Sequence, residues 1–302
     1  MSGAAPTLTT VRLVVDGSGA GERADRYLGV RVGVPSRTQL QLRLAELRVN
    51  DRAVKPSTRL NCGDQVVVVL RSAPAIPALP EPLSLDVLYE DDDVVVIDKP
   101  SGMVVHPGSG TRGGTLVNGL LYRYRDLSAR FPDSPRPGIV HRLDKDTSGV
   151  MVVARHAAAH ACLARQFSER TVGKRYLAWV SGRPVPPSGR IATRLRRDAK
   201  NPLRVRVSRD TGKPAVTRYR VCESAGDASL MALRPLTGRT HQLRAHMRWL
   251  GHPILGDPLY AGRAKGPAAR LLLHAHRLAI VLPGGTARTV FEAPPPRGFG
   301  LP

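Results

Sequence analysis

The stretch Gly138-Ile139-Val140-His141-Arg142-Leu143-Asp144-Lys145-Asp146-Thr147-Ser148-Gly149 sets two carboxylates, Asp144 and Asp146, among two cations, Arg142 and Lys145. Nearby positive charge favours the ionised form of an acid and depresses its pKa. An ionised Asp can then serve as a nucleophile or as a base. On residue type alone the pattern stays open, because D-x-D in a polar loop is also an ordinary turn. The flanks give it a frame. Apolar residues precede the loop and Val150 to Ala154 follow it, so it reads as a strand, a polar loop and a second strand. Loops displayed from a rigid sheet are where catalytic groups tend to sit.

A second polar segment, Thr237-Gly238-Arg239-Thr240, leads into a predicted helix from His241 to Leu250. Thr240 is suited to its N-cap, Leu243, Met247 and Leu250 fall on one face, and Gly251 with Pro253 ends it. Arg239 therefore stands at a helix entrance. His241 and His246 are five apart with no Glu between them, which is not the HExxH arrangement of a zinc site. Neither GxGxxG after a strand nor GxxxxGK[ST] occurs, so no nucleotide cofactor is implied.

Charge says what kind of partner such a site would meet. Of 302 residues, 46 are Lys or Arg and 24 are Asp or Glu, a net of +22 that attracts polyanions. No apolar run approaches the ~18–20 residues that span a bilayer. Met1 to Thr10 lacks the basic start and apolar h-region of a signal peptide. Cys62, Cys162 and Cys222 are far apart and without CxxC, which argues against a disulfide framework and points to a reducing cytoplasm.

Residues 8–71 read as a small basic domain. A first helix is expected over Glu22 to Val30, and a second after Ser36-Arg37-Thr38-Gln39, whose S-x-x-Q spacing suits a capping box. That helix would carry Leu40, Leu44 and Leu47 on one face, with Arg37, Arg43 and Arg48 elsewhere. A strand pair turning at Asn50-Asp51 and a strand over Gln65 to Leu70 follow. The proline-rich segment 72–82 reads as a semi-rigid linker, and 83–302 as one larger domain. There, Leu83 to Tyr89 and Val94 to Ile97 are strand-like around a solvated acidic tip, Glu90 to Asp93. Between Arg183 and Arg220, twelve Lys or Arg and two Asp interleave with Val and Leu. Alternation of that kind suggests strands with one basic face, a track for an RNA backbone.

The segments Asp98 to Pro107, His141 to Gly149 (HRLDKDTSG), Lys174 to Tyr176, Thr237 to Arg244 (TGRTHQLR), Gly256 to Tyr260 and Leu271 to Ala275 occur in an order that resembles the RluA-type pseudouridine synthases. Among these the chain is most similar to the RluD-like enzymes of large-subunit ribosomal RNA. The resemblance implies an α+β fold: a mainly antiparallel mixed-sheet catalytic domain over 83–302, preceded by an S4-like α+β RNA-binding domain over 8–71. It implies that uridine is isomerised to pseudouridine, with Asp144 as the essential carboxylate. Tyr176 would stack on the extruded base and assist proton removal from C5. Arg239 would pair with Asp144 and keep it ionised. Leu273 would wall the uracil pocket and Arg142 would contact substrate, while Arg37, Arg43 and Arg48 would bind RNA. The implied partner is RNA, of the large ribosomal subunit, met by a monomer with no cofactor, no metal and no membrane. Two other classes are a non-catalytic RNA-binding factor of the same fold, and an Asp-dependent hydrolase or glycosidase with Asp146 as its second carboxylate.

Overall fold

The computed structural model describes residues 8–31, 40, 43–71, 78–108, 110–131, 134–199, 201–262 and 268–300. The chain divides into two compact units, Met1–Ile76 and Pro77–Pro302.

The first unit contains strand β1 (Leu8–Val14), helix α1 (Ala24–Arg31), and strands β2 (Leu44–Val49), β3 (Arg52–Ala53) and β4 (Gln65–Arg71). The strands form an antiparallel sheet in the order β1-β4-β2-β3. Alternate residues Val66, Val68 and Leu70 of β4 are buried with Leu47, Val49, Tyr27 and Leu28. The β2–β3 turn is the expected one, and Asn50 and Asp51 both take positive φ, 50° and 60°, as a two-residue hairpin of matching twist requires.

The expected second helix is shortened: Leu40 and Arg43 are helical, and the chain turns to strand at Leu44. Residues 36–39, with Arg37 and the proposed capping box, lie outside the described residues, but Leu44 and Leu47 belong to a strand. Leu44 pairs with Leu70, Leu47 with Val68 and Val49 with Val66. Period-two burial against β4 outweighs the three- and four-residue leucine spacing. Arg48 accordingly stands on the exposed side of a strand beside Glu46. Arg43 Nε donates to the Arg71 carbonyl at 3.2 Å. Strand β1, on the sheet edge, was not expected; only Val11 and Leu13 of it are even partly buried against the core.

The second unit is built on a ten-stranded mixed sheet. Its elements are β5 (Asp86–Glu90), β6 (Val94–Lys99), α2 (Leu116–Arg123), α3 (Leu127–Arg130), β7 (Ser148–Ala154), α4 (Ala157–Ser168), β8 (Gly173–Ser181), β9 (Ser188–Arg197), β10 (Val205–Ser208), β11 (Lys213–Ala225), β12 (Ala228–Pro235), α5 (Gln242–Trp249), β13 (Leu273–Val281) and β14 (Arg288–Glu292). The order is β10-β9-β11-β12-β8-β13-β7-β6-β5, with β14 on β13. Every neighbouring pair is antiparallel except β13 with β7.

The near-continuous apolar runs of β6 and β7 are explained by burial of both faces. Val95, Ile97, Met151 and Val153 pack with Leu116, Val117 and Leu120 of α2. Val94, Val96, Val150 and Val152 pack with Ala159 and Leu163 of α4. The expected strand before the Asp144 loop reduces to one bridge, Ile139 to Val153. In the acidic tip, Asp91 Oδ1 accepts from the Asp93 and Val94 amides, so this carboxylate closes the β5–β6 hairpin.

Candidate active site

Asp144 lies in the loop that enters β7, and the loop is held from below by the segment after β6. Lys99, at the end of that strand, is fully buried. Its Nζ donates to the carbonyls of Pro100 at 2.6 Å, Met103 at 2.9 Å and Lys145 at 3.0 Å. Burial pushes the Lys99 ammonium down to about 8, against the opposing pull of Asp146 and Asp144. Gly102 N donates to the Lys145 carbonyl at 2.9 Å, and Ser101 Oγ to the Asp146 carbonyl at 2.7 Å. Lys99, Ser101 and Gly102, at and just after the end of β6, are thereby tied to the two residues that follow Asp144.

The second half of the site comes from α5 and the turn after it. Arg244, in the first turn of α5, donates from Nη1 to Asp144 Oδ2 at 3.2 Å. Its Nε and Nη2 grip Asp257 at 2.7 and 2.9 Å, a bidentate contact. Asp257 also accepts from the amides of Leu259 and Tyr260. Burial opposes the charge on Arg244, but the hydrogen bonds and charge of Asp257, and then of Asp144, more than offset it, so its pKa is raised. Tyr260 completes the support. Its hydroxyl bonds both the N–H and the carbonyl of Val205 in β10, and the Arg244 guanidinium lies over its ring at 5.2 Å.

His241 caps α5 with a left-handed backbone, φ 49°, so the helix begins one residue later than expected and Thr240 is not its N-cap. A strained non-glycine residue of this kind is maintained only where its surroundings fix it. His241 Nδ1 is 3.2 Å from the Tyr260 hydroxyl and its Nε2 is 3.9 Å from Asp144 Oδ2. Burial lowers its pKa despite Asp144, so the ring is neutral near pH 7. One cation, Arg244, thus faces two carboxylates. Asp257 is 0% exposed and Asp144 22%; the carboxylate left open to solvent is Asp144.

The cleft around Asp144 has a volume of about 430 Å³, within the range of small-ligand sites. Arg142, Asp144, Lys174, Tyr176, Arg239 and Leu273 all line it. Tyr176, on β8, is partly buried between two core clusters. Burial and then Asp144 raise its pKa, so the phenol is neutral. Leu273, 3% exposed, forms an apolar wall at the start of β13. Arg142 is exposed at the rim.

One expectation changes. Arg239 lines the cleft but does not pair with Asp144; its Nε donates to the Pro214 carbonyl at 3.1 Å. The turn before α5 carries Arg239 along the wall, whereas the first turn of the helix carries Arg244 into the back of the site. Arg244, Asp257, Tyr260 and Lys99 were not singled out from sequence. A signal was present for Arg244: a cation between Leu243 and Ala245, on a helix otherwise read by its apolar stripe, calls for a buried acid. Asp146, the second carboxylate a glycosidase would need, does not line the cleft. Among the described residues no group of acids, cysteines and histidines could hold a metal ion, and no helix is long and apolar enough to cross a membrane.

Residues 93–249 match the family model described as RNA pseudouridylate synthase. The chain is 41% identical over 307 residues to ribosomal large subunit pseudouridine synthase D of Neisseria meningitidis serogroup A, covering 97% of this chain and 81% of the relative. It is 43% identical over 277 residues to the RNA pseudouridine synthase YlyB of Bacillus subtilis, covering 91% of each. The solved structure of human RNA pseudouridylate synthase domain containing 1 matches with a TM-score of 0.58 at 31% identity, over 71% of this chain and 86% of that one. The likeness spans both halves of the site, from the Asp144 loop to α5, and the chain belongs to the RluA-type RNA pseudouridine synthases.

Proposed function

We propose that this enzyme converts uridine to pseudouridine in structured RNA of the large ribosomal subunit, with Asp144 as the carboxylate that starts the reaction. One observation carries the reading. Asp144 Oδ2 is held by Arg244, while Oδ1 accepts no hydrogen bond from the described residues and the side chain opens on the cleft. A carboxylate oriented through one oxygen keeps lone pairs to offer on the other.

The reaction breaks the bond between N1 of uracil and C1′ of ribose, turns the base and joins C5 to C1′; a proton leaves C5 and N1 gains one. Asp144 can open it by adding to C1′ as uracil departs, or by taking the C2′ proton to leave a glycal. Both routes begin from the ionised acid and need no cofactor, because uracil is a tolerable anionic leaving group. Tyr176 supplies a flat, neutral surface on which the freed base can rotate while still stacked. Arg142 and Arg239, on rim and wall, meet the phosphates of the target nucleotide, and Leu273 meets the base. The small unit over 8–71 acts as an S4-like RNA-binding module; its resemblance and its cations Arg43 and Arg48 support that role. The relative from Neisseria meningitidis named for the ribosomal large subunit supports the choice of RNA.

Incubation of the protein with large-subunit ribosomal RNA, followed by chemical mapping of pseudouridine, should reveal new sites. Asp144→Asn should bind the same RNA and form none. Wild-type protein that modifies no ribosomal RNA, naked or in particles, overturns the proposed substrate.

A further inference from the structure

Beside the Asp144 cleft lies a second one of about 390 Å³, and the two share Phe167, Arg170, Lys174, Pro235 and Thr237 as a common wall. Five cations line the second cleft, Arg170, Lys174, Arg190, Arg234 and Arg288, and no carboxylate does. None of the five makes an ion pair with a described residue. Lys174 is the most enclosed of them, and burial, then Arg170, lowers its pKa. Arg170 is held at the entrance with a positive φ of 61°, a conformation that non-glycine residues seldom take.

The sheet beneath continues the pattern. Arg218 of β11 stands directly opposite Arg190 of β9 on one side and Arg234 of β12 on the other. Residues directly opposite in an antiparallel ladder put their side chains on the same face, and like charges so placed repel. Three exposed arginines in one row, running into a cleft lined by three more cations, form an arrangement that stability alone disfavours. A phosphate chain would offset the repulsion. Its phosphates are spaced along a strand, as the arginines are spaced across the sheet.

We propose that this second cleft and the Arg190–Arg218–Arg234 row seat phosphodiesters of the RNA strand adjoining the target uridine, fixing which nucleotide enters the Asp144 cleft. The inference rests on the substrate reading above and names where that substrate is gripped. Arg190 and Arg234 line only the second cleft, and their side chains make no hydrogen bond to another described residue, so both can be replaced without cutting a structural contact.

The test is equilibrium binding of a large-subunit ribosomal RNA transcript across a salt series, with the full-length protein. In the pair Arg190→Ala with Arg234→Ala, Kd should rise about tenfold or more near ~0.15 M salt, and the slope of log Kd against log salt should fall by one to two. The pair Arg190→Lys with Arg234→Lys should keep the slope, since point charges still release counterions. An alanine pair with wild-type affinity and slope overturns the site; so does a lysine pair that loses as much as the alanine pair. Absence of pseudouridine with wild-type protein would count against the substrate reading alone, because the binding comparison does not depend on turnover.

Discussion

Arg244 reaches Asp144 with one nitrogen, at 3.2 Å, and Asp257 with the other two. The acid we propose as reactive is therefore oriented by a guanidinium that is itself immobilised by a fully buried partner. Lysine's compact ammonium lacks the planar fork that lets one side chain grip Asp257 in a bidentate contact and still reach Asp144. Arg244→Lys should lower kcat on RNA about 10- to 100-fold, the size of one charge-assisted hydrogen bond of ~1.5–3 kcal/mol. Arg239→Ala, which removes a contact to the Pro214 carbonyl and none to Asp144, should change kcat less than about tenfold and act through KM. Single-turnover assays on the same RNA separate the two. An Arg239 variant more damaged in kcat than the Arg244 variant would reverse the assignment.

Lys99 holds the loop from the other side. Its three carbonyl contacts can be removed with little change in volume by Lys99→Met, which frees the backbone beside Asp144. The expected result is a lower kcat with RNA affinity retained. Lys99 also leaves a pH signature. Its folded pKa of about 8 lies below the ordinary 10.5, so between these values the unfolded chain binds the extra proton and stability rises with pH. Wild type should gain on Lys99→Met across pH 8 to 10.5, by at most ~3 kcal/mol. Urea unfolding of both proteins over that window measures it; a constant difference would mean the amine is not perturbed.

The motifs that carry the site were legible in sequence because the chemistry needs particular residue types at short spacing. Arg142 and Asp144 from one loop, Tyr176 from β8 and Leu273 from β13 all reach one cleft. The partner of Asp144 was misjudged because two arginines, Arg239 and Arg244, sit five residues apart in one motif, and only the exact start of α5 decides which turns inward. The second helix of the small unit is helical at Leu40 and Arg43 but stops short of Leu44 for another reason. Leu40, Leu44 and Leu47 fit a helical stripe, but Leu47 and Val49 also alternate, and β4 offers a paired edge with Val66, Val68 and Leu70. A long-range partner settled what local spacing left open. Lys99 was quoted only as part of a motif, since a lone lysine after an apolar strand carries no sign that three carbonyls converge on it.

Gly256 joins the fold to the network. Its φ is +70°, and a Cβ there would lie 1.8 Å from the Arg270 carbonyl oxygen. Backbone cannot yield as a flexible side chain can, so Gly256→Ala must move the turn that presents Asp257. The expected loss is about 3 kcal/mol or more of stability, with activity falling further than stability because Arg244 loses its anchor. Thermal unfolding together with turnover on RNA tests both parts. A variant with wild-type melting and activity would show that the turn has another conformation open to it.

Acid should release α5. His246, on that helix, is fully buried, and burial pushes its pKa down to about 4. Its Nδ1 lies 2.8 Å from Thr217 Oγ1 and its Nε2 3.0 Å from Thr193 Oγ1. Thr217 Oγ1 also accepts from Gln242 Nε2 at 3.0 Å, so the ring is held at both nitrogens inside a closed hydrogen-bond network. Protonation would make donors of both ring nitrogens and set a charge among buried groups. Between the unfolded value of 6.5 and the folded value of about 4, only the unfolded chain takes the proton, and stability falls as pH falls through that window. The loss from this histidine reaches ~3 kcal/mol by pH 4. His246→Gln keeps one acceptor and one donor without a titrating group, so its unfolding free energy should depend less steeply on pH between 6.5 and 4 than that of wild type. Equal slopes in the two proteins would place the acid sensitivity elsewhere. Because Arg244 lies in the same helix, turnover by wild type should fail over the same interval as α5 loosens, and recover on return to neutral pH.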